Sequence, residues 1–175
     1  KVIEYFRQNQ ELKVLGVTAT PDRHDSLALS RVFQSVSFDI EICDLIDDGY
    51  LVPIDQQMVK IEGLDFSQCR KTAGDLNGAD LAAVMEEEKN LHGIASSTLE
   101  IVKTKKTLVF AVTVHQAEML SDIFNRHTYG SSDWICGETP RDKRKEKLSD
   151  FANGKTQIMV NVGVLIEGYD NPKIE

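Results

Sequence analysis

The chain has 175 residues, of which 41% are hydrophobic and 27% charged, a composition typical of a soluble globular protein of one domain or two small ones. No apolar run approaches the roughly 20 residues of a membrane span, and no signal peptide opens the chain, so no membrane partner is expected. The net charge of −8 gives no general attraction to nucleic acid, so any such contact has to be local. Cys43, Cys69 and Cys136 lack metal-ligand spacing, which argues against a zinc site and predicts reduced thiols in a cytoplasmic protein.

The first third of the chain contains short segments with mixed patterns. Strand patterns cover 13–18, 38–42 and 55–62, and helix patterns cover 1–10, 26–33 and 44–48. The strand predicted over 13–18 is apolar and ends with the hydroxyls of Thr18 and Thr20. These threonines suit either a strand end that caps the next element or a site that uses hydroxyl hydrogen bonds.

The rest of the chain is more regular. Residues 63–78 are polar and rich in glycine, which predicts a long loop or surface insertion that is mobile or lies outside the sheet. Helices are predicted over 79–89, 91–102, 114–126 and 140–152, and strands over 107–112, 133–136 and 157–162. Thr139 is predicted to cap the helix whose first residue is Pro140.

Apolar strands separated by helices predict an α/β fold with a parallel sheet and helices on both faces. Ligands of such sheets bind at the carboxyl ends of the strands. Here those ends are polar or contain glycine, and they comprise residues 18–20, 113–115, 137–139 and 161–170.

Four segments occur in an order that resembles the superfamily 2 helicases and translocases, in particular the DEAD/DEAH-box-related branch of restriction enzymes and phage-like helicases. They are LGVTATPDR (15–23), TLVFAVTVHQAEML (107–120), GETPRDKRKEKLSDFANG (137–154) and IMVNVGVLIEGYDNP (158–172). TAT resembles motif III, FAVTVHQA motif IV and VGVLIEGYD motif V. DDGYLVPI (47–54) is similar to the passage between the two RecA-like lobes of that family.

The resemblance implies that residues 1–53 are the C-terminal portion of RecA-like lobe 1 with its linker. Residues 54–175 would be most of RecA-like lobe 2, ending before motif VI. The chain has no GxxxxGK[ST] loop and no DExx box, and the family's arginine-rich segment after motif V is missing. We therefore expect a helicase or translocase as the full-length parent, with ATP and Mg²⁺ as its cofactors. This chain alone should contain no catalytic residue, hydrolyse no ATP and hold no tightly bound cofactor.

The resemblance also implies roles for single residues. Thr18 and Thr20 would couple the nucleotide state to the second lobe, and Gly168 and Asp170 would bind ATP. Contacts with nucleic acid, DNA being favoured over RNA, would come from the strand-end residues Thr113, His115, Asn161 and Gly163. Further domains of the same polypeptide are expected as partners.

Simpler structural roles remain open for several of these residues. His115 also suits an exposed helix start, residues 167–172 suit a plain turn, and Trp134 is expected to pack rather than to stack on a base. Arg144 matches a recurrent arginine of the family, in a basic stretch that is otherwise typical of a solvated helix face. Two other protein classes also stay open: a different nucleotide- or dinucleotide-binding α/β domain, although the glycine-rich turn after its first strand is missing, and a RecA-like interaction module without catalysis.

Overall fold

The computed structural model describes residues 13–18, 33–128, 130–166, 168–169, 171 and 174. The chain divides into two units, residues 1–56 and 57–175. Thr20, Asp170 and the helix predicted over 1–10 lie outside the described residues, as does the helix predicted over 26–33 except for its last residue, Phe33. None of the helices described has both the length and the apolar character needed to cross a bilayer.

In the first unit, the described residues contain one helix, α1 (Ile42–Asp47), which confirms the predicted helical turn two residues earlier than expected. Gly49 follows it with a φ of 78°, a left-handed conformation common after helix ends. The strands predicted over 13–18 and 38–42 are wrong: neither segment is a strand, and Leu15 and Val17 are 82% and 92% exposed. A strand needs a neighbour to satisfy its backbone, and the described part of this unit offers none.

The second unit begins with irregular chain. The strand predicted over 55–62 is wrong, because this segment pairs with no other described strand. Residues 63–78 lie outside the main sheet, as predicted, but contain a small antiparallel hairpin of β1 (Lys71–Thr72) and β2 (Asp75–Leu76). Ala73 and Gly74 connect its strands with φ values of 55° and 92°, as a tight two-residue turn requires.

An ion pair ties this hairpin to the helix that follows it. Arg70 Nε and Nη2 donate to the two carboxylate oxygens of Asp80 at 2.8 and 2.9 Å, and the Arg70 backbone N–H donates to the same group at 3.0 Å. Hydrogen bonds from Arg70 lower the pKa of Asp80 from 3.8 to about 2. The side chain of Arg70 is largely exposed, so the pair orients the hairpin more than it stabilises the unit.

Helices and strands then alternate. In chain order they are α2 (Gly78–Met85), α3 (Glu88–Val102), β3 (Thr107–Phe110), α4 (Val114–His127), β4 (Ser132–Cys136), α5 (Arg141–Ala152) and β5 (Ile158–Val162). The three strands form a parallel sheet in the order β3-β5-β4, with β5 in the centre. The predicted elements of this region therefore exist, with ends displaced by a few residues at most.

The second unit has two clusters of buried hydrophobic residues, one on each face of the sheet. The central strand β5 contributes to both, because its side chains alternate between the two faces. Ile158 and Val160 pack with residues of α3 and α4, whereas Met159 packs with Phe151 of α5. All four side chains are fully buried. Helices thus cover both faces, which confirms the predicted α/β fold.

The predicted cap of α5 is wrong. The helix begins at Arg141, one residue later than predicted, and its N-cap position is taken by Pro140, which makes no side-chain capping bond. Thr139 instead closes the turn after β4: its N–H donates to the Cys136 carbonyl at 3.1 Å, and its Oγ1 accepts from the Cys136 N–H at 2.9 Å. Because the Thr139 hydroxyl is bound to the Cys136 N–H, it does not accept a hydrogen bond from the first turn of α5.

Candidate nucleic-acid interface

The strand register brings three loops to one edge of the sheet. Phe110 of β3 lies opposite Asn161 of β5, and Cys136 of β4 lies opposite Val162. The segments that follow these strands therefore leave the sheet at the same carboxyl edge. Thr113, His115, Gly163 and Gly168 are all in or next to these segments, and their predicted binding roles stay predictions.

The start of α4 is held by two reciprocal hydrogen bonds. Thr113 is the N-cap, and its Oγ1 accepts from the Gln116 N–H at 3.0 Å. Gln116 is 1% exposed, and its Oε1 accepts from the Val112 N–H at 2.8 Å. This is a variant of the capping box, with the glutamine reaching one residue further back than usual. The turn between β3 and α4 is therefore fixed before any ligand arrives.

Two backbone donors at this helix start remain available. The N–H groups of Val114 and His115 make no hydrogen bond to any other residue that the structure describes, and both side chains are exposed. Free amides at a helix N-terminus, together with the helix dipole, favour an anion. The Thr113 hydroxyl, in contrast, already donates its proton to the carboxylate of Glu86.

Asn161 has a structural role that the sequence did not reveal. Its side chain is fully buried; Nδ2 donates to the Val109 carbonyl at 3.0 Å, and Oδ1 accepts from the Leu165 N–H at 3.2 Å. The amide thus joins the edge strand β3 to the loop after β5. A direct contact between this side chain and nucleic acid stays a prediction, and in the described geometry Asn161 instead positions the loop.

That loop has an exposed backbone at its two glycines. Gly163 and Gly168 have φ values of 66° and 72°, in the left-handed region that glycine adopts without strain. Apart from the immediate chain neighbours, no described residue has an atom within 4 Å of a Cβ placed on either glycine, so the main chain is open on that side. Between them, Leu165 is 7% exposed and packs with Ile135 and Phe151, which anchors the loop to the core.

Arg144 stabilises the third loop. Its Nη2 lies 3.2, 2.9 and 3.1 Å from the carbonyl oxygens of Cys136, Gly137 and Thr139. Nη2 carries two N–H protons, so the three carbonyl oxygens share them. The recurrent arginine in the sequence therefore holds the turn after β4, whereas Lys143 on the same helix forms an exposed ion pair with Glu146 that raises the pKa of Lys143.

A shallow cavity of about 340 Å³ lies beside this turn, lined among others by Val114, Trp134, Lys143 and Lys147. Lys147 Nζ lies 5.4 Å from the centre of the Trp134 ring and donates to Asp133 at 2.6 Å. The indole also packs against the buried cluster beneath α3 and α4. The packing role predicted for Trp134 is confirmed. One face of its ring is already in contact with the ammonium group of Lys147.

The remaining predicted positions are not brought together by the described structure. Thr18 lies in an exposed irregular segment, and Thr20 and Asp170 lie outside the described residues. Within the described ranges, no three His, Cys, Asp or Glu side chains converge as a metal site, so a donor set for Mg²⁺ is not found there. The coupling and ATP-binding roles of these positions stay predictions.

Comparison with known proteins shows similarity to helicases, most clearly in the second half of the chain. The family model "Helicase conserved C-terminal domain" matches residues 89–175. A Saccharomyces cerevisiae protein named as the ATP-dependent helicase IRC3 is 28% identical over 99% of this chain, which covers 26% of that protein. A Schizosaccharomyces pombe protein, named as a mitochondrial ATP-dependent helicase, irc3, is 26% identical over 100% of the chain and 29% of its own length.

Among solved structures, the Sulfolobus solfataricus SWI2/SNF2 ATPase C-terminal domain aligns with 55% of this chain and 49% of its own, at 15% identity and a TM-score of 0.45. The chain spans between a quarter and a third of the length of the two yeast relatives.

Proposed function

Because the chain belongs to the superfamily 2 helicases, with a helicase conserved C-terminal domain over residues 89–175, we propose that it supplies the nucleic-acid-binding second lobe of an ATP-dependent helicase or translocase. In this proposal residues 54–175 are that lobe and residues 1–53 are the end of the first lobe with its linker. The activity of the whole protein would couple ATP hydrolysis to movement along DNA or RNA, with DNA favoured.

One observation carries the proposal: the free N–H groups at the start of α4 lie on the same sheet edge as the exposed backbone of Gly163. Backbone amides and helix N-termini bind phosphate oxygens without reading base sequence. A protein that moves along a strand needs such contacts, because they repeat at every nucleotide. We therefore assign phosphate contacts to the amides of Val114 and His115, the His115 side chain and the backbone near Gly163.

The charge of the chain limits the strength of this contact. With a net charge of −8, long-range attraction to a polyanion is unfavourable, and the binding energy comes from a few directional donors. We expect weak binding to single strands that falls further as salt rises. We also expect no ATP hydrolysis by this chain alone, since the phosphate-binding loop and acidic box of the family are missing from its sequence.

The nucleotide roles complete the proposal. Gly168 would let the main chain approach a phosphate closely, and Asp170 would orient a ribose or an arginine rather than act as a base. Thr18 and Thr20 would couple the ATPase cycle to movement. In the full-length parent, Asp170→Ala should reduce nucleic-acid-stimulated ATPase, whereas replacing both threonines should spare ATPase and impair translocation.

The binding edge can be tested with labelled 20-nucleotide single strands of DNA and RNA and fluorescence anisotropy. His115→Ala should weaken binding roughly two- to tenfold, the value of one net hydrogen bond. His127→Ala is the matched control, because it makes the same substitution at the exposed opposite end of α4. Equal affinities of the two variants would contradict the proposed interface, and the DNA-to-RNA ratio tests the preference for DNA.

A further inference from the structure

Glu86 accepts a hydrogen bond from the Thr113 hydroxyl, which the sequence predicted as a donor to nucleic-acid phosphate. It lies at the junction between α2 and α3, where it is the C-cap of α2. Its carboxylate accepts the hydroxyl proton of Thr113, 27 residues further along the chain. A hydroxyl carries a single proton, and the Thr113 oxygen also accepts from Gln116, so the hydroxyl cannot donate to a second anion while Glu86 is in place.

The junction that carries Glu86 is itself fixed. Asn90, which is 1% exposed, donates from Nδ2 to the Val84 carbonyl at 2.7 Å and to Glu87 Oε2 at 3.4 Å. These bonds span both sides of Glu86. The carboxylate forms no ion pair with any Lys, Arg or His in the described part of the chain, so its charge at the start of α4 is not neutralised by a side chain.

Resting on the proposed function, we infer that Glu86 is an internal competitor for nucleic-acid phosphate at the start of α4. A carboxylate and a phosphate are favoured there for the same reason, namely the helix dipole and the nearby amides. A phosphate bound to the amides of Val114 and His115 meets the charge of Glu86 and gains the Thr113 hydroxyl only when Glu86 releases it. The contact therefore weakens binding by the free domain.

The test measures the affinity of the 175-residue chain for a fluorescein-labelled 20-nucleotide single strand. Glu86→Gln removes the charge and keeps the shape, and we expect it to bind roughly tenfold more tightly than the unchanged chain, since a like charge is lost from the contact. Glu100→Gln, on an exposed position in the last turn of α3, makes the same change in net charge and should stay within about twofold. Two further variants, Thr113→Val alone and Thr113→Val combined with Glu86→Gln, measure how far the gain in affinity depends on the Thr113 hydroxyl.

We expect the gain from Glu86→Gln to fall at least threefold in the Thr113→Val background. Equal affinities of Glu86→Gln and Glu100→Gln, or a gain that Thr113→Val leaves unchanged, would overturn the inference. If binding depends on His115 but not on Glu86, the inference fails and the proposed function stands. If no variant binds the strand, the proposed function and the inference fail together.

Discussion

Replacing Asn161 with alanine tests whether a buried amide holds the candidate interface together. The substitution removes the donor to the Val109 carbonyl and the acceptor for the Leu165 N–H, in a position with no solvent exposure. Each buried group left without a partner costs about 1–3 kcal/mol. A carbonyl retains a second lone pair for other donors, so we expect a total loss of about 2–4 kcal/mol in the free energy of unfolding.

Urea unfolding followed by tryptophan fluorescence measures this loss. Trp134 is the only tryptophan of the chain and lies on β4, so its emission reports on the unit that contains the sheet. Asn153→Ala is the matched control, because Asn153 is exposed at the end of α5 and makes one long bond to Ser149. We expect the control to change stability by less than about 0.5 kcal/mol. If the two variants unfold at the same urea concentration, the Asn161 bridge does not stabilise the loop.

Three further predictions concern the same unit. Phe151→Ala should cost about 3–5 kcal/mol because the ring is fully buried, whereas Phe110→Ala, at a side chain that is 60% exposed, should cost far less; urea unfolding compares them. Gly163→Ala should cost about 1–2 kcal/mol through its positive φ alone, since the Cβ would contact no described residue beyond its chain neighbours, and an Asn there should be tolerated better. The depressed pKa of Asp80 means that its contribution to stability is present above pH 3.8 and lost as the pH falls towards 2; Asp80→Asn should remove this step from the acid titration of hairpin amide exchange.

The sequence predicted the sheet well wherever strand and helix patterns alternate. The strand predicted over 107–112 is Thr107–Phe110, and the helix predicted over 114–126 is Val114–His127. Both segments have apolar residues at the spacing of a strand or a helix. Both also find their pairing and packing partners within the second unit. The strands predicted over 13–18 and 55–62 have the right residue types, but strand formation depends on partners that a local pattern cannot supply.

The candidate site was predicted at the level of position, not of contacts. Placing Thr113, Asn161 and Gly163 at one edge follows from parallel strands, whose ends must meet. The partners of these side chains are distant in sequence: Glu86 for Thr113 and Val109 for Asn161. No periodicity or motif encodes such pairings, which is why the buried role of Asn161 and the contact of Glu86 emerge only from the structure.

The central position of β5 determines when the domain can fold during synthesis. β3 and β4 do not pair with each other, and each needs β5, which is the last of the three described strands to be synthesised; 52 residues separate Val109 from Asn161, whose side chain donates to its carbonyl. At about 5–20 residues per second, the apolar edges of both strands wait for seconds without a hydrogen-bonding neighbour. A nascent chain halted before Ile158 should therefore be an open substrate for chaperones and proteases, and release of the next few residues should close the sheet in one cooperative step.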